Sequence, residues 1–358
     1  MFYHLLYPLH QLWSGLNVFQ YITVRSFFAL FIAMFVYLIF APRMILLLQR
    51  KQFLQAVRDD GPQKHLQKIG TPTMGGVLIW ISVVLAMLFC GRFDHPFVTL
   101  GIGVTLAFAV IGFIDDYRKV MLRDPKGLKS RYKFLLQVAV SLFAAWFLFE
   151  VLGLSHELVI PFAKSAVPDF GYWVYPLAVL VIAGCSNAVN LTDGLDGLVS
   201  MPAIISFLAY AIIAYVAGNV LMANYLQVPS VPGSGELAVF CAAIVGGLLG
   251  FLWFNAHPAT IFMGDVGALP LGAALGYVAL VTKQEILLVG IGGIFVIETL
   301  SVMAQVLSFK LTKKRIFRMA PLHHHFELKG WDESKVIVRF WILAIVMALL
   351  SLATLKLR

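Results

Sequence analysis

Residues 97–119 read FVTLGIGVTLAFAVIGFIDDYRK: eighteen residues without a charge, then two aspartates, and then Arg118 and Lys119. An uncharged apolar run of about 17–25 residues has the length of a membrane-crossing helix. Carboxylates at the edge of hydrocarbon are costly, so a pair placed there is by default a functional-site hypothesis. One stretch therefore predicts both a membrane span and chemistry at its end.

The rest of the chain repeats this design. The 358 residues are 60% hydrophobic and only 13% charged, against about 25% charged in soluble domains. Apolar runs recur at about 21–41, 73–90, 97–114, 134–152, 172–189, 199–217, 237–254, 267–282, 286–308 and 336–355. Continuous runs fit helices and not the alternation of an outer-membrane barrel. No hydrophilic stretch is long enough for a separate soluble domain. The expected fold is all-α: a polytopic integral membrane protein of about ten transmembrane helices, with residues 1–358 forming one domain. The eighth run is short, so its helix must be tilted or shielded by its neighbours. The aromatic first twenty residues lack the basic start and cleavage site of a signal peptide and suit an interfacial segment.

Net charge is +9, and its distribution sets orientation. The segments after the first, third and ninth runs hold 21 of the 27 Lys and Arg, against five on the opposite side, with Arg25 inside the first run. Both termini are therefore expected to face outward, and the loops after odd-numbered runs the cytoplasm. The basic excess fits anionic headgroups, with a bound polyanion as a compatible second cause. Nucleic acid is not an expected partner, because no basic face stands outside the membrane plan. Cys90, Cys185 and Cys241 are widely spaced in or beside apolar runs, without metal-ligand or disulfide spacing.

The same span count places Asp115, Asp116, Asp193, Asp196 and Asp265 on the cytoplasmic side. The loops carrying the last three contain no Lys or Arg, so their placement is independent of the charge rule. Asp115 and Asp116 end GFIDDYRK; adjacent carboxylates rarely both ionise without a compensating cation. A helix end paired with Arg118 or Lys119 is the alternative. NAVNLTDGLDGL (187–198) offers Asn187, Asn190, Asp193 and Asp196, with glycines that let a ligand approach the backbone. Two Asp-Gly pairs are also ordinary turn chemistry. In FNAHPATIFMGDVG (254–267), Asp265 is either a ligand or a helix N-cap, and Phe262 either a packing residue or a platform for a planar base. Asn255 lies at the start of this stretch. His323, His324 and His325 are consecutive, so they cannot alone build a zinc site, but imidazoles can donate to phosphate oxygens. Lys68 and Thr73, around GTPTMGG, are candidate phosphate contacts, although the segment lacks the Walker pattern. Glu298, inside the ninth run, stays outside the predicted site. Together the acids suggest Mg²⁺, a hard ion that takes carboxylate and phosphate oxygens.

RDDGP (58–62), GTPTMGG (70–76), GFIDDYRK, NAVNLTDGLDGL, FMGDVG and APLHHHFELKGW (320–331) occur together. In these motifs the chain resembles the bacterial phospho-N-acetylmuramoyl-pentapeptide transferases, a branch of the polyprenyl-phosphate N-acetylhexosamine-1-phosphate transferases. The likeness runs from about Asn17 to Arg358, and the triple-histidine loop points to this branch. Asp59 stands where the pattern has Asn. The resemblance implies an enzyme of the bacterial inner membrane, with periplasmic termini and cytoplasmic active-site loops. It implies transfer of phospho-N-acetylmuramoyl-pentapeptide from UDP-N-acetylmuramoyl-pentapeptide to undecaprenyl phosphate, yielding lipid I and UMP. It also implies Mg²⁺ dependence and a homodimer. By this analogy Asp265 is the metal ligand, Asp115 the base and Asp116 its support. Asn187, Asn190, Asp193, Asp196, Asn255 and Phe262 lie around the nucleotide, while Lys68, Thr73, Lys119 and the three histidines contact phosphate. A cation-coupled transporter is the rival from another class. It is disfavoured because the acids gather at one face rather than at the midplane, where transporter sites lie.

Overall fold

The computed structural model describes residues 1–51, 70–122, 124, 127–161 and 168–356. Its main helices are α1 (Ile22–Arg50), α2 (Gly76–Cys90), α3 (Pro96–Val120), α4 (Ser130–Trp146), α5 (Val174–Thr192), α6 (Ser200–Ala217) and α7 (Val220–Leu226). They continue with α8 (Leu237–Asn255), α9 (Asp265–Val281), α10 (Leu287–Ile291), α11 (Gly293–Thr312), α12 (Leu322–Leu328) and α13 (Glu333–Ala353). Among the described residues there is no β-strand; Glu157 and Asp169 form an isolated bridge. Within the described residues eight helices are long and apolar enough to cross a membrane, and α2 and α9 are shorter apolar helices at the second and eighth expected positions. The chain is thus an all-α polytopic membrane protein.

The shortest expected span is also the most enclosed. Every residue of α9 from Val266 to Val281 is buried, and α3, α5 and α2 pack around it. Its sequence, DVGALPLGAALGYVALV, is rich in small residues, which let helix backbones approach closely where lipid offers no hydrophobic drive to association. Pro270 cannot donate to the carbonyl four residues earlier. That carbonyl, on Val266, instead accepts the indole N–H of Trp80 on α2 at 3.0 Å. The exchange keeps a buried backbone acceptor paired and ties α2 to the start of α9.

One element differs in detail from expectation. The ninth run is divided: α10 ends at Ile291, Gly292 breaks the helix, and α11 begins at Gly293. Residues 2–20 form three short turns with no buried residue, and Leu12 and Trp13 are exposed, as an interfacial segment requires. Arg25, the one cation inside the first expected span, is fully buried in α1. Its Nη1 and Nη2 each donate to Glu236 at 2.7 Å. This pair lies before α8, at the end of the bundle opposite the aspartate loops.

Candidate active site

The site is built where α3 ends against the start of α9. A Cβ on Gly112 would stand 2.3 Å from the carbonyl oxygen of Asp265, so only glycine allows this approach. One turn later α3 presents Asp115 and Asp116, both buried. Asp116 Oδ2 accepts the Val266 N–H at 2.9 Å and thereby caps the first turn of α9. Asp115 Oδ1 accepts the Leu128 N–H at 2.6 Å. Its Oδ2 lies 2.8 Å from Lys119 Nζ and 3.0 Å from Lys133 Nζ. The same two ammonium groups reach Asp265 Oδ2, Lys119 at 3.0 Å and Lys133 at 2.6 Å. Two lysines thus bridge carboxylates that are 150 positions apart in the chain.

The second wall comes from two loops bonded to each other. The 72–76 segment lies along 262–263: the Phe262 N–H donates to the Pro72 carbonyl at 2.8 Å, Gly75 N–H to Phe262 O at 2.8 Å, and Gly76 N–H to Met263 O at 3.0 Å. This fixes the backbone on both sides of half-buried Phe262 and brings Thr73 beside the site. Gly264 has φ +74°, and a Cβ there would meet Asp116 Oδ2 at 2.6 Å. Asn255 joins the next loop: its Nδ2 donates to Ile261 O at 2.8 Å, and its Oδ1 accepts the Gly197 N–H at 2.9 Å. Its amide therefore scaffolds both loops.

Asp193 follows α5 and faces the same centre. Burial, then the charges of Asp265, Asp116 and Asp196, push its carboxyl up to about 7. Asp196 is buried and points elsewhere. Its Oδ2 accepts the Ala259 N–H at 3.0 Å and lies 3.2 Å from His257 Nδ1. With Glu333 these residues bring one ligand-type atom each within 4.8 Å of one another. Asn187 Nδ2 donates to Gln137 Oε1 and to the Ala183 carbonyl, both at 2.7 Å. That pairing answers the polar groups placed inside a span. Asn190 lies half-buried on α5, three residues further on.

The histidines separate into three roles. His323 is fully buried, and a Cβ on Gly194 would stand 2.2 Å from its Nε2. It therefore abuts the Asp193–Gly197 turn. Glu298 holds it there: Oε2 accepts the Leu322 N–H at 2.6 Å, Oε1 accepts the His323 N–H at 3.2 Å, and Oε1 lies 3.3 Å from Nδ1. His324 Nδ1 lies 2.8 Å from Glu327. His325 Nδ1 accepts the Arg318 N–H at 3.1 Å. Partial burial, then Lys329 and Arg318, hold the His325 imidazole below its ordinary range. Lys68 lies outside the described residues.

The structure thus gathers Asp115, Asp116, Asp193, Asp265, Lys119, Thr73 and Phe262 around one centre, with His323 against its rim. Asp196 and Asn255 support the loops, and His324 and His325 turn toward their own segment. Sequence reasoning counted Lys133 only as a topology charge and left Glu298 aside. The signal for Lys133 was its place in the first turn of a span beside the Asp-Asp loop. Asp115 and Asp265 share Lys119 and Lys133, Asp116 caps the helix that Asp265 begins, and every acidic ligand offered is an oxygen. That donor set fits a hard divalent cation such as Mg²⁺.

The chain matches glycosyl transferase family 4 over residues 98–283. It is 54% identical to the phospho-N-acetylmuramoyl-pentapeptide-transferase of Desulfotalea psychrophila and 55% identical to that of Desulfosudis oleivorans. It is 52% identical to the enzyme of the same name from Syntrophus aciditrophicus. Each alignment covers 100% of both chains.

Proposed function

This chain belongs to the phospho-N-acetylmuramoyl-pentapeptide-transferase family of enzymes, and we propose that it makes the first lipid-linked intermediate of peptidoglycan synthesis. It transfers phospho-N-acetylmuramoyl-pentapeptide from UDP-N-acetylmuramoyl-pentapeptide to undecaprenyl phosphate, giving lipid I and UMP. It works in the bacterial inner membrane, with the site facing the cytoplasm and both termini in the periplasm, as a homodimer. The observation that carries the reading is the double bridge of Lys119 and Lys133 between Asp115 and Asp265, at 2.6–3.0 Å.

That bridge prepares the site for anions. Lys119 and Lys133 exchange carboxylate oxygens for phosphate oxygens as the substrates arrive. The exchange releases Asp115 to keep the lipid phosphate deprotonated, with Asp116 in support. A lipid phosphate oxygen then attacks the sugar-bearing phosphorus, and UMP leaves. Direct attack needs only modest base help, because the second ionisation of a phosphate lies near neutrality. Asp265 would hold Mg²⁺, which neutralises the diphosphate and polarises the bond that breaks. Phe262 offers a ring face to the uracil, and Asn187, Asn190, Asp193, Asp196 and Asn255 shape the surroundings of the nucleotide. Lys68 and Thr73 contact phosphate oxygens, while buried His323 backs the Asp193–Gly197 turn at the rim of the site.

The test is release of UMP by the purified protein supplied with Mg²⁺, the nucleotide-pentapeptide and undecaprenyl phosphate. Turnover with that donor, and no competition from UDP-N-acetylglucosamine, is the expected outcome. No UMP under conditions that support a relative overturns the assignment. Turnover with UDP-N-acetylglucosamine instead moves the chain to another branch of the superfamily.

A further inference from the structure

The turn Asp193–Gly197 between α5 and α6 is held from outside by residues that the proposed chemistry does not use. Glu333, in the first turn of α13, accepts the Asp196 N–H on Oε1 at 3.2 Å. His257 Nδ1 lies 3.2 Å from Asp196 Oδ2 and 3.8 Å from Glu333 Oε1. The imidazole therefore sits between two carboxylates. The Ala259 N–H reaches the same Asp196 oxygen. Trp341 Nε1, further along α13, donates to the Gly197 carbonyl at 3.2 Å. Asp196 is 2% exposed, and a buried carboxylate is tolerable only where such donors meet it.

The consequence reaches the centre on both sides. Asp193 is three residues before Asp196, and Gly194 touches His323, so a shift of the turn moves Asp193 relative to the nucleotide that it borders. His257 lies on the segment that leads to Phe262, to which Asn255 is already tied through the Ile261 carbonyl. The clasp thus sets the spacing between the turn and the ring of Phe262. We infer that His257 and Glu333 are positioning residues that hold the Asp193–Gly197 turn and the Phe262 segment at the separation that receives the nucleotide of the donor substrate. This inference rests on the transferase reading above. A group acting this way changes ground-state recognition of one substrate and leaves the chemical step alone.

The full-length enzyme tests it through steady-state kinetics of His257→Ala, Glu333→Ala, Glu333→Gln and the double alanine variant, with UMP binding by calorimetry. Each single alanine variant should raise KM for the nucleotide-pentapeptide about 10-fold, with kcat and KM for undecaprenyl phosphate within about two-fold. Glu333→Gln keeps an acceptor for the Asp196 N–H and should return donor KM to within about three-fold of wild type. The double variant should raise it by less than the product of the two single effects, because both act through Asp196. UMP affinity should fall in parallel with donor KM. An unchanged donor KM in the alanine variants overturns the clasp while wild-type turnover leaves the transferase reading intact. So does a joint change of kcat and both KM values with a lowered melting temperature, which is the mark of a packing role. If Glu333→Ala does not fold, His257→Ala and Glu333→Gln decide the matter. A wild-type protein that releases no UMP sinks the transferase reading, and the clasp with it.

Discussion

Lys133 touches both Asp115 and Asp265, with its side chain 16% exposed. Replacing it by Met removes a positive charge from between two carboxylates and from the path of two phosphates. Lys133→Met is expected to lower kcat/KM about 100-fold, and Asp265→Asn at least as much, through lost charge stabilisation. Initial rates of UMP release measure both, and near-normal rates would exclude either residue from the reacting centre. The aspartates were legible in the sequence because each one ends an apolar run, where a charge is conspicuous. Lys133 was not, because a lysine at a cytoplasmic span start satisfies the topology rule by itself. Glu298 was hidden for a related reason: its partners, the Leu322 and His323 amides, lie 24 and 25 positions away. No periodicity announces them.

At the scale of elements, α9 is the rod on which the site is registered. A Cβ on Gly272 would stand 2.3 Å from the Cys185 carbonyl of α5, whereas one on Gly103 of α3 would meet nothing within 4 Å. Gly272→Val should therefore wedge α5 from α9 and displace Asp193 from Asp265. Overpacking of this kind costs about 1–3 kcal/mol. Gly103→Ala should leave both stability and rate near wild type. Thermal unfolding in detergent with parallel rate measurements distinguishes them, and equal tolerance of the two changes would remove the close α5–α9 contact from the account. The ten apolar runs were readable because hydrocarbon length and composition constrain them strongly. The exact start of α9 was not. Asp265 serves as its first residue only because Asp116, on a different helix, accepts the Val266 N–H and caps that turn.

On the scale of the whole molecule, the two ends of the bundle carry opposite devices. One holds the acid and lysine centre; the other holds Arg25 and Glu236, 1% and 5% exposed in their side chains. Removing one partner leaves a buried charge, so Arg25→Met should destabilise the fold by about 3–5 kcal/mol, while Arg25→Met with Glu236→Met should recover much of that loss. Thermal unfolding of the two variants reports it, and an equal loss in both would show that the pair's charges do not matter.

The same division into two ends bears on the proposed orientation. Lys and Arg crowd the loops that carry Lys119 and Lys313, and avoid the loop that carries Ser230. Lys313 and Ser230 are both exposed. In a variant with Cys90, Cys185 and Cys241 replaced by Ala, a membrane-impermeant thiol reagent added to intact cells should label Ser230→Cys. It should label Lys313→Cys only after the membrane is opened, because the proposed orientation keeps the basic side in the cytoplasm. The aspartate loops share that side through the bridges of Lys119 and Lys133. Labelling of both positions from outside would therefore place the lysine-bearing centre, and every phosphate it is proposed to hold, in the wrong compartment for a cytoplasmic nucleotide.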